Sequence, residues 1–144
     1  MDTKHFETLV TMYNRAPINH WFKPGLRIPQ GGHAEIELPV REDFHHAAHA
    51  IHGAVYFKAL DDATFFAVQS LVTDMFVVTS SFQLYFLRPV SEGRLLARAH
   101  VVSRSKRLYI AEGLLLDSRG KEVGRGNGTF MPSSVHLGPE LGYR

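Results

Sequence analysis

The chain has 144 residues, is 44% hydrophobic and 21% charged, contains no Cys and carries a formal net charge of +2, with a pI near 9.0. That length fits one domain spanning residues 1–144, and the composition excludes a mainly disordered chain, a collagen-like repeat and a disulfide miniprotein. Without Cys there are no thiolate metal sites and no cysteine nucleophile, and a reducing cytoplasm is the expected location. The mild charge calls for no nucleic-acid partner. No apolar run approaches the ~18 residues of a membrane helix, and no basic segment leads into an apolar core at the N-terminus, so neither membrane nor secretory targeting is expected.

Phe6, Leu9, Val10 and Tyr13 recur at helical spacing, which predicts an amphipathic helix over residues 4–15 capped by Asp2 or Thr3. Pro17 and Pro24-Gly25 break the chain. Residues 26–28 and 34–40 alternate apolar with polar around Gly31-Gly32, a first hairpin. A second helix is predicted from Gly53 to about Val72, apolar nearly all round and therefore buried. Four strands follow: 77–87, 94–102, 108–116 and, after the turn Asp117-Ser118-Arg119-Gly120, 122–131. The segment from Pro132 onward has little pattern and is expected to be poorly ordered. One long buried helix beside an antiparallel meander of about five or six strands predicts an α+β domain with the sheet wrapped on the helix. Its uncovered edges predict oligomerisation.

The chemistry concentrates in residues 46–63. A small residue, Gly53, opens a buried helix where free backbone N–H groups and the helix dipole favour negative charge. A thioester carbonyl turning into an oxyanion is such a group. Asp61 lies within the same apolar helix, where a carboxylate is costly without a partner or a task. It could act as general base to a water or as a nucleophile; alternatively it bonds a backbone N–H or a Lys. Nine residues separate His52 from Asp61, so the two point to opposite sides of the helix, roughly 13 Å apart along its axis. One subunit does not bring both to one substrate atom; two subunits packed about a twofold axis do, with two shared sites. Asp62, about 100° round from Asp61, is expected to face solvent or an interface, so the pair is not a carboxylate dyad. His45, His46, His49 and His52 have spacings that could share a metal, but no acid stands at a zincin-like offset, and no metal is expected. His46 and His52 are read as hydrogen-bond donors to a substrate, and His45 and His49 as exposed loop.

His52-Gly53-Ala54, followed by an apolar helix with Asp61 nine residues after the His, resembles the His-Gly-Gly…Asp signature of hotdog-fold acyl-CoA thioesterases of the phenylacetate-pathway type. The resemblance covers roughly residues 25–131. It implies a hotdog fold, an acyl-CoA substrate, no cofactor, and a homodimer or a tetramer of paired dimers. It also implies that Gly53 N–H binds the thioester carbonyl, that Asp61 of the partner subunit is base or nucleophile, and that Thr79 positions the water. The family often has Asn six residues before the motif His; here that position is His46, and the second motif Gly is Ala54. Coenzyme A would lie along Arg88-Pro89-Val90 and the loop Ser103-Arg104-Ser105-Lys106-Arg107, whose cations suit its phosphates. Phe65 and Phe66 are candidates for restricting acyl length. Two other readings stand beside this one. A non-catalytic acyl-CoA-binding protein is the first. A hotdog dehydratase or hydratase is the second, weakened because Asp43 is followed five residues on by Ala48 rather than His.

Overall fold

The computed structural model describes residues 2–144. Helix α1, Thr3–Arg15, is capped by the Asp2 carboxylate, which accepts from His5 N–H at 3.0 Å. Of the expected stripe it buries Phe6, Leu9 and Tyr13; Val10 is only half-buried, and Met12 is buried beside them. After Pro17 the chain makes one further helical turn, α2, Asn19–Phe22, which the sequence pattern does not announce. Strands β1, Gly25–Gln30, and β2, His33–Pro39, form the expected hairpin across Gly31-Gly32. A short 3₁₀ turn at Glu42–Phe44 leads into the histidine-rich loop.

Helix α3, Gly53–Gln69, is the centre of the molecule. It stops three residues short of the predicted end because Gln69 caps the structure that follows it. The Gln69 amide donates to Val72 O and Met75 O at 3.0 and 2.8 Å, and its Oε1 accepts from Val77 N–H at 2.9 Å. Four strands complete the fold: β3, Met75–Phe86; β4, Arg94–Arg104; β5, Tyr109–Leu116; and β6, Glu122–His136. The six strands make one antiparallel sheet in the order β1-β2-β4-β5-β6-β3. This is the hotdog arrangement, a long helix wrapped by a sheet.

The packing follows from the sequence of α3. Ala59, Leu60, Ala63 and Ala67 are fully buried, so small side chains let the helix lie close to the sheet. Glycines do the same from the sheet: a Cβ at Gly113 would stand 3.3 Å from Leu60, and one at Gly124 would stand 3.4 Å from Tyr56. Gly126 and Gly128 of β6 leave room instead for the ring of Phe82 on β3, which a Cβ at either would meet at 2.7 Å. The outward face of the sheet is polar, with ion pairs joining Arg27 and Arg98 to Glu35 and Arg94 to Glu37.

The segment from Pro132 onward departs from expectation. It is not a loose tail: β6 runs on to His136 and pairs with β3 as far as Met75. Leu137 N–H then donates to Asp74 O, and a 3₁₀ turn at Pro139–Leu141 folds back across the core. Leu137, Leu141 and Tyr143 pack on that core, which compensates for a sequence without alternation. Among the described residues no helix is long and apolar enough to cross a membrane.

Replacing Gln69 by Leu keeps its bulk but leaves three buried backbone groups unpaired. The variant is expected to lose about 3 kcal/mol of stability, measured by urea unfolding.

Candidate active site

Two half-sites lie on α3. The first is the helix start. The loop before it is a braced turn rather than a helix: His46 N–H donates to Ala50 O, His49 N–H donates to His46 O, and His49 takes a left-handed φ of 66°. His52 is the N-cap residue. Its Nδ1 accepts from Ala54 N–H at 2.9 Å, and its carbonyl accepts from Val55 N–H. Gly53 N–H is left without an acceptor among the described residues. His46 repeats the pattern, its Nδ1 accepting from Ala48 N–H at 3.0 Å. An imidazole that accepts through Nδ1 carries its proton on Nε2, so His46 and His52 each keep a free N–H donor. Both rings are exposed. His46 and Gly53 share a cleft of about 290 Å³ with Tyr56, Phe86 and Arg88. A side chain at position 53 would meet Phe86 at 2.9 Å, so Gly keeps the approach to the amide open. His52, His45 and His49 do not line this cleft. His45 donates to Ser91 O from Nε2, and His49 is exposed.

The second half-site surrounds Asp61. Thr79 Oγ1 donates to Asp61 Oδ1 at 2.9 Å, leaving Oδ2 free of hydrogen bonds from the described residues. Thr79 sits where the β3–β6 register shifts between Thr79 and Ser81, an irregularity of the kind that re-aims a side chain. Burial pushes the Asp61 carboxyl up to about 6; the Thr79 hydrogen bond opposes this, the Asp62 charge adds to it, and Lys58 again opposes it. Asp62 is not turned to solvent as expected. Its Oδ2 accepts from Tyr13 O–H and pairs with Lys58 Nζ, both at 2.6 Å, because α1 covers that side of the helix. The burial and the Asp62 charge raise the Tyr13 phenol far above its ordinary value, so it stays a donor. Lys58, Asp62 and Tyr13 were not read as site residues, although Lys58 and Asp62 have the i, i+4 spacing of a helical ion pair.

Asp61 and Thr79 open into a cavity of about 760 Å³. Tyr13, Phe65, Phe66 and Phe76 give it an aromatic lining, so Phe65 and Phe66 do lie beside the carboxylate.

The half-sites are eight residues apart on one rigid helix, about 12 Å along its axis, and they open into different cavities. The basic residues split the same way. Arg88 borders the Gly53 cleft. Residues 104 and 109, which flank the β4–β5 turn, connect through Phe130 to Thr79 at the far end of β3. Among the described residues Arg88, Arg104, Lys106 and Arg107 have no carboxylate at ion-pair distance, whereas Arg94 and Arg98 are paired. Arg104 lies over the Tyr109 ring, and the Ser105 hydroxyl closes the turn through Leu108.

A free helix-start amide and a raised carboxylate beside a large apolar cavity are parts for acyl transfer to water. The comparisons agree at the level of family. The model of the thioesterase superfamily matches residues 48–123, just over half of the chain, a span that includes Gly53, Asp61 and Thr79 but not His46 or Tyr13. The chain therefore belongs to the thioesterase superfamily, and its reaction class is thioester hydrolysis. A protein of Saccharolobus solfataricus named "Putative esterase SSO1253" is 27% identical over 100 residues, 69% of this chain and 67% of that protein. The E. coli PaaI protein from the phenylacetic acid degradation operon superposes with a TM-score of 0.86 at 20% identity, over 95% of this chain and 99% of its own. Thioesterase HI1161 of Haemophilus influenzae gives 0.78 at 16% identity over 88% of each chain. Both structural likenesses are of fold.

The raised carboxyl sets a stability trade-off with a definite sign. The folded Asp61 value, about 6, lies above its ordinary 3.8. Its favourable contribution is thus complete below about pH 4 and lost as pH rises through 6. Above that, the buried charge costs up to about 3 kcal/mol. Asp61→Asn is expected to melt higher than the wild type at about pH 8, with the difference closing toward pH 4, in thermal scans across pH.

Proposed function

We propose that the protein hydrolyses acyl-CoA thioesters at sites shared between two copies of the chain, with Asp61 as general base. The observation that carries this is Asp61 itself: a carboxylate held by Thr79 through one oxygen, free at the other, raised toward neutrality and facing an apolar cavity. A base with that proton affinity takes a proton from water efficiently near pH 7. The Gly53 amide, at the positive end of α3, suits the oxyanion that forms on the thioester carbonyl. His46 and His52, each with Nε2–H free, supply further donors beside it. Imidazole at position 46 thus offers the hydrogen-bond donor that an amide side chain would.

The uncovered edge of the sheet supports a second copy. β3 is twelve residues long, pairs on one side only, and carries exposed Val78, Tyr85 and Phe86. An edge of this length and apolarity invites pairing. Gly53 stands against Phe86, and Asp61 is bonded to Thr79. Antiparallel pairing of β3 with β3 of a second copy about a twofold axis at Gln83, with the irregularity between Thr79 and Ser81 passed over, sets Thr79 of one opposite Phe86 of the other. The same symmetry carries the Gly53 half-site of one copy to the Asp61 half-site of its mate. It also carries Arg88 of one copy toward Arg104, Lys106 and Arg107 of the other, a cationic rim suited to the phosphates of coenzyme A.

Free-thiol release from an acyl-CoA panel tests the activity. kcat/KM is expected to rise with pH through about 6 as the base loses its proton. Asp61→Asn should lower it about 10³-fold. A covalent acyl-enzyme trapped in single turnover would replace the general-base role with a nucleophilic one. Because the chain has no Cys, Gln83→Cys provides a clean probe of the pairing. That variant is expected to form a disulfide-linked dimer on mild oxidation, and Glu112→Cys, on the outer face of the sheet, is not.

A further inference from the structure

The cavity beside Asp61 is closed on one side by the C-terminal segment. Pro139, Leu141 and Gly142 line it together with Met12 and Tyr13 of α1 and Phe65, Phe66 and Phe76. Three contacts fix this strap. Leu137 N–H donates to Asp74 O at 2.9 Å, where β6 leaves the sheet. Gly142 lies beside α1 with a φ of 82°, and a Cβ there would be in van der Waals contact with Arg15 at 3.4 Å and the Met12 backbone at 3.6 Å. Tyr143 Oη lies 2.7 Å from Nδ1 of His5, whose Nε2 lies 2.9 Å from the Gln69 carbonyl.

The His5 proton can be placed by elimination. A carbonyl only accepts, so Nε2 carries the hydrogen and Nδ1 accepts from the Tyr143 hydroxyl. His5 is 3% exposed, so this relay has no ready substitute in water. The strap is therefore tied through His5 to Gln69, the residue that joins the end of α3 to the start of β3. It is a fixed wall.

We propose that the strap Pro139–Tyr143 is the specificity-determining wall of an apolar acyl site, with Leu141 setting the acyl length admitted and the Tyr143–His5 bond holding Leu141 in place. This rests on the thioesterase reading above and names the substrate class within it: an apolar acyl group of limited length. The cavity volume falls within the range of ordinary small-molecule sites, and aromatic and aliphatic side chains make up much of its wall. Its charged lining comes from α3 through Asp61, Asp62 and Lys58, from α1 through Arg15, and from Glu140 and Arg144 of the C-terminal segment.

The test is the ratio of kcat/KM for decanoyl-CoA to that for butyryl-CoA in the full chain. One methylene buried in an apolar site is worth about fourfold. Leu141→Trp occupies the room of several methylenes and is expected to lower the ratio at least about tenfold. Leu141→Ala is expected to raise it and to move the preferred chain up by about two carbons. Tyr143→Phe keeps the ring, removes the donor and should move the ratio in the Ala direction. Ratios unchanged within about twofold in folded variants overturn the proposal. If the wild type hydrolyses no acyl-CoA, the reading of Asp61 fails separately. Kd for the same acyl-CoAs by calorimetry then tests the strap alone, and binding that ignores chain length, or no binding, overturns it.

Discussion

Asp61 occupies a helix whose neighbouring positions, Ala59, Leu60 and Ala63, are fully buried in the sheet. A charge there is tolerable only because its surroundings are built for it. Thr79 donates one hydrogen bond from β3, and Lys58 supplies a cation on the same helix. Asp62 works in the opposite direction, and Tyr13 and Lys58 hold it in place. The balance leaves a carboxylate that binds its proton more tightly than one in water yet gives it up near neutrality. The α1 helix, a strand irregularity and the helical ion pair all serve this one group.

The second organising fact is that β3 touches both ends of the chemistry. Thr79 meets Asp61 near one end of the strand, and Phe86 meets Gly53 at the other, roughly 23 Å away. Gly53 and Asp61 themselves stand about 12 Å apart on one stiff helix, and a single chain does not bring them together. In the proposed function, the strand edge without a neighbour and the two half-sites at separate points of the helix are answered by the same second copy. The unpaired cations follow the same division, Arg88 with the first cleft and the β4–β5 turn with the other end of the sheet.

Much of this was legible before any coordinates. The helical spacing of Phe6, Leu9 and Tyr13, the apolar run after Gly53 and the alternating strands fixed the elements, since each reflects burial on one face or all round. Gly53 and Asp61 stood out through residue type and position, and Thr79 only through resemblance to a family motif. What escaped notice depended on contacts remote in sequence. Tyr13 reaches Asp62 across 49 positions, and Tyr143 reaches His5 across 138. No local periodicity encodes such pairs, and a segment such as Pro132-Ser133-Ser134 has no alternation to mark it as strand. Its order comes from β3 alongside and from the core below. The cap that ends α3 at Gln69 is likewise invisible in the pattern, because Leu71 and Val72 continue the apolar run.

The eight-residue interval from Gly53 to Asp61 also acts as a ruler with a phase. Inserting or deleting one residue within it would shift the acid by 1.5 Å along the axis and swing it by 100° around it. The carboxylate would then leave Thr79 and turn into the sheet or toward α1, while the fold could persist. That span therefore tolerates exchange of side chains but not a change of length, whereas the tight turn at Asp117–Lys121, bonded only to itself and to exposed Arg94, can absorb one.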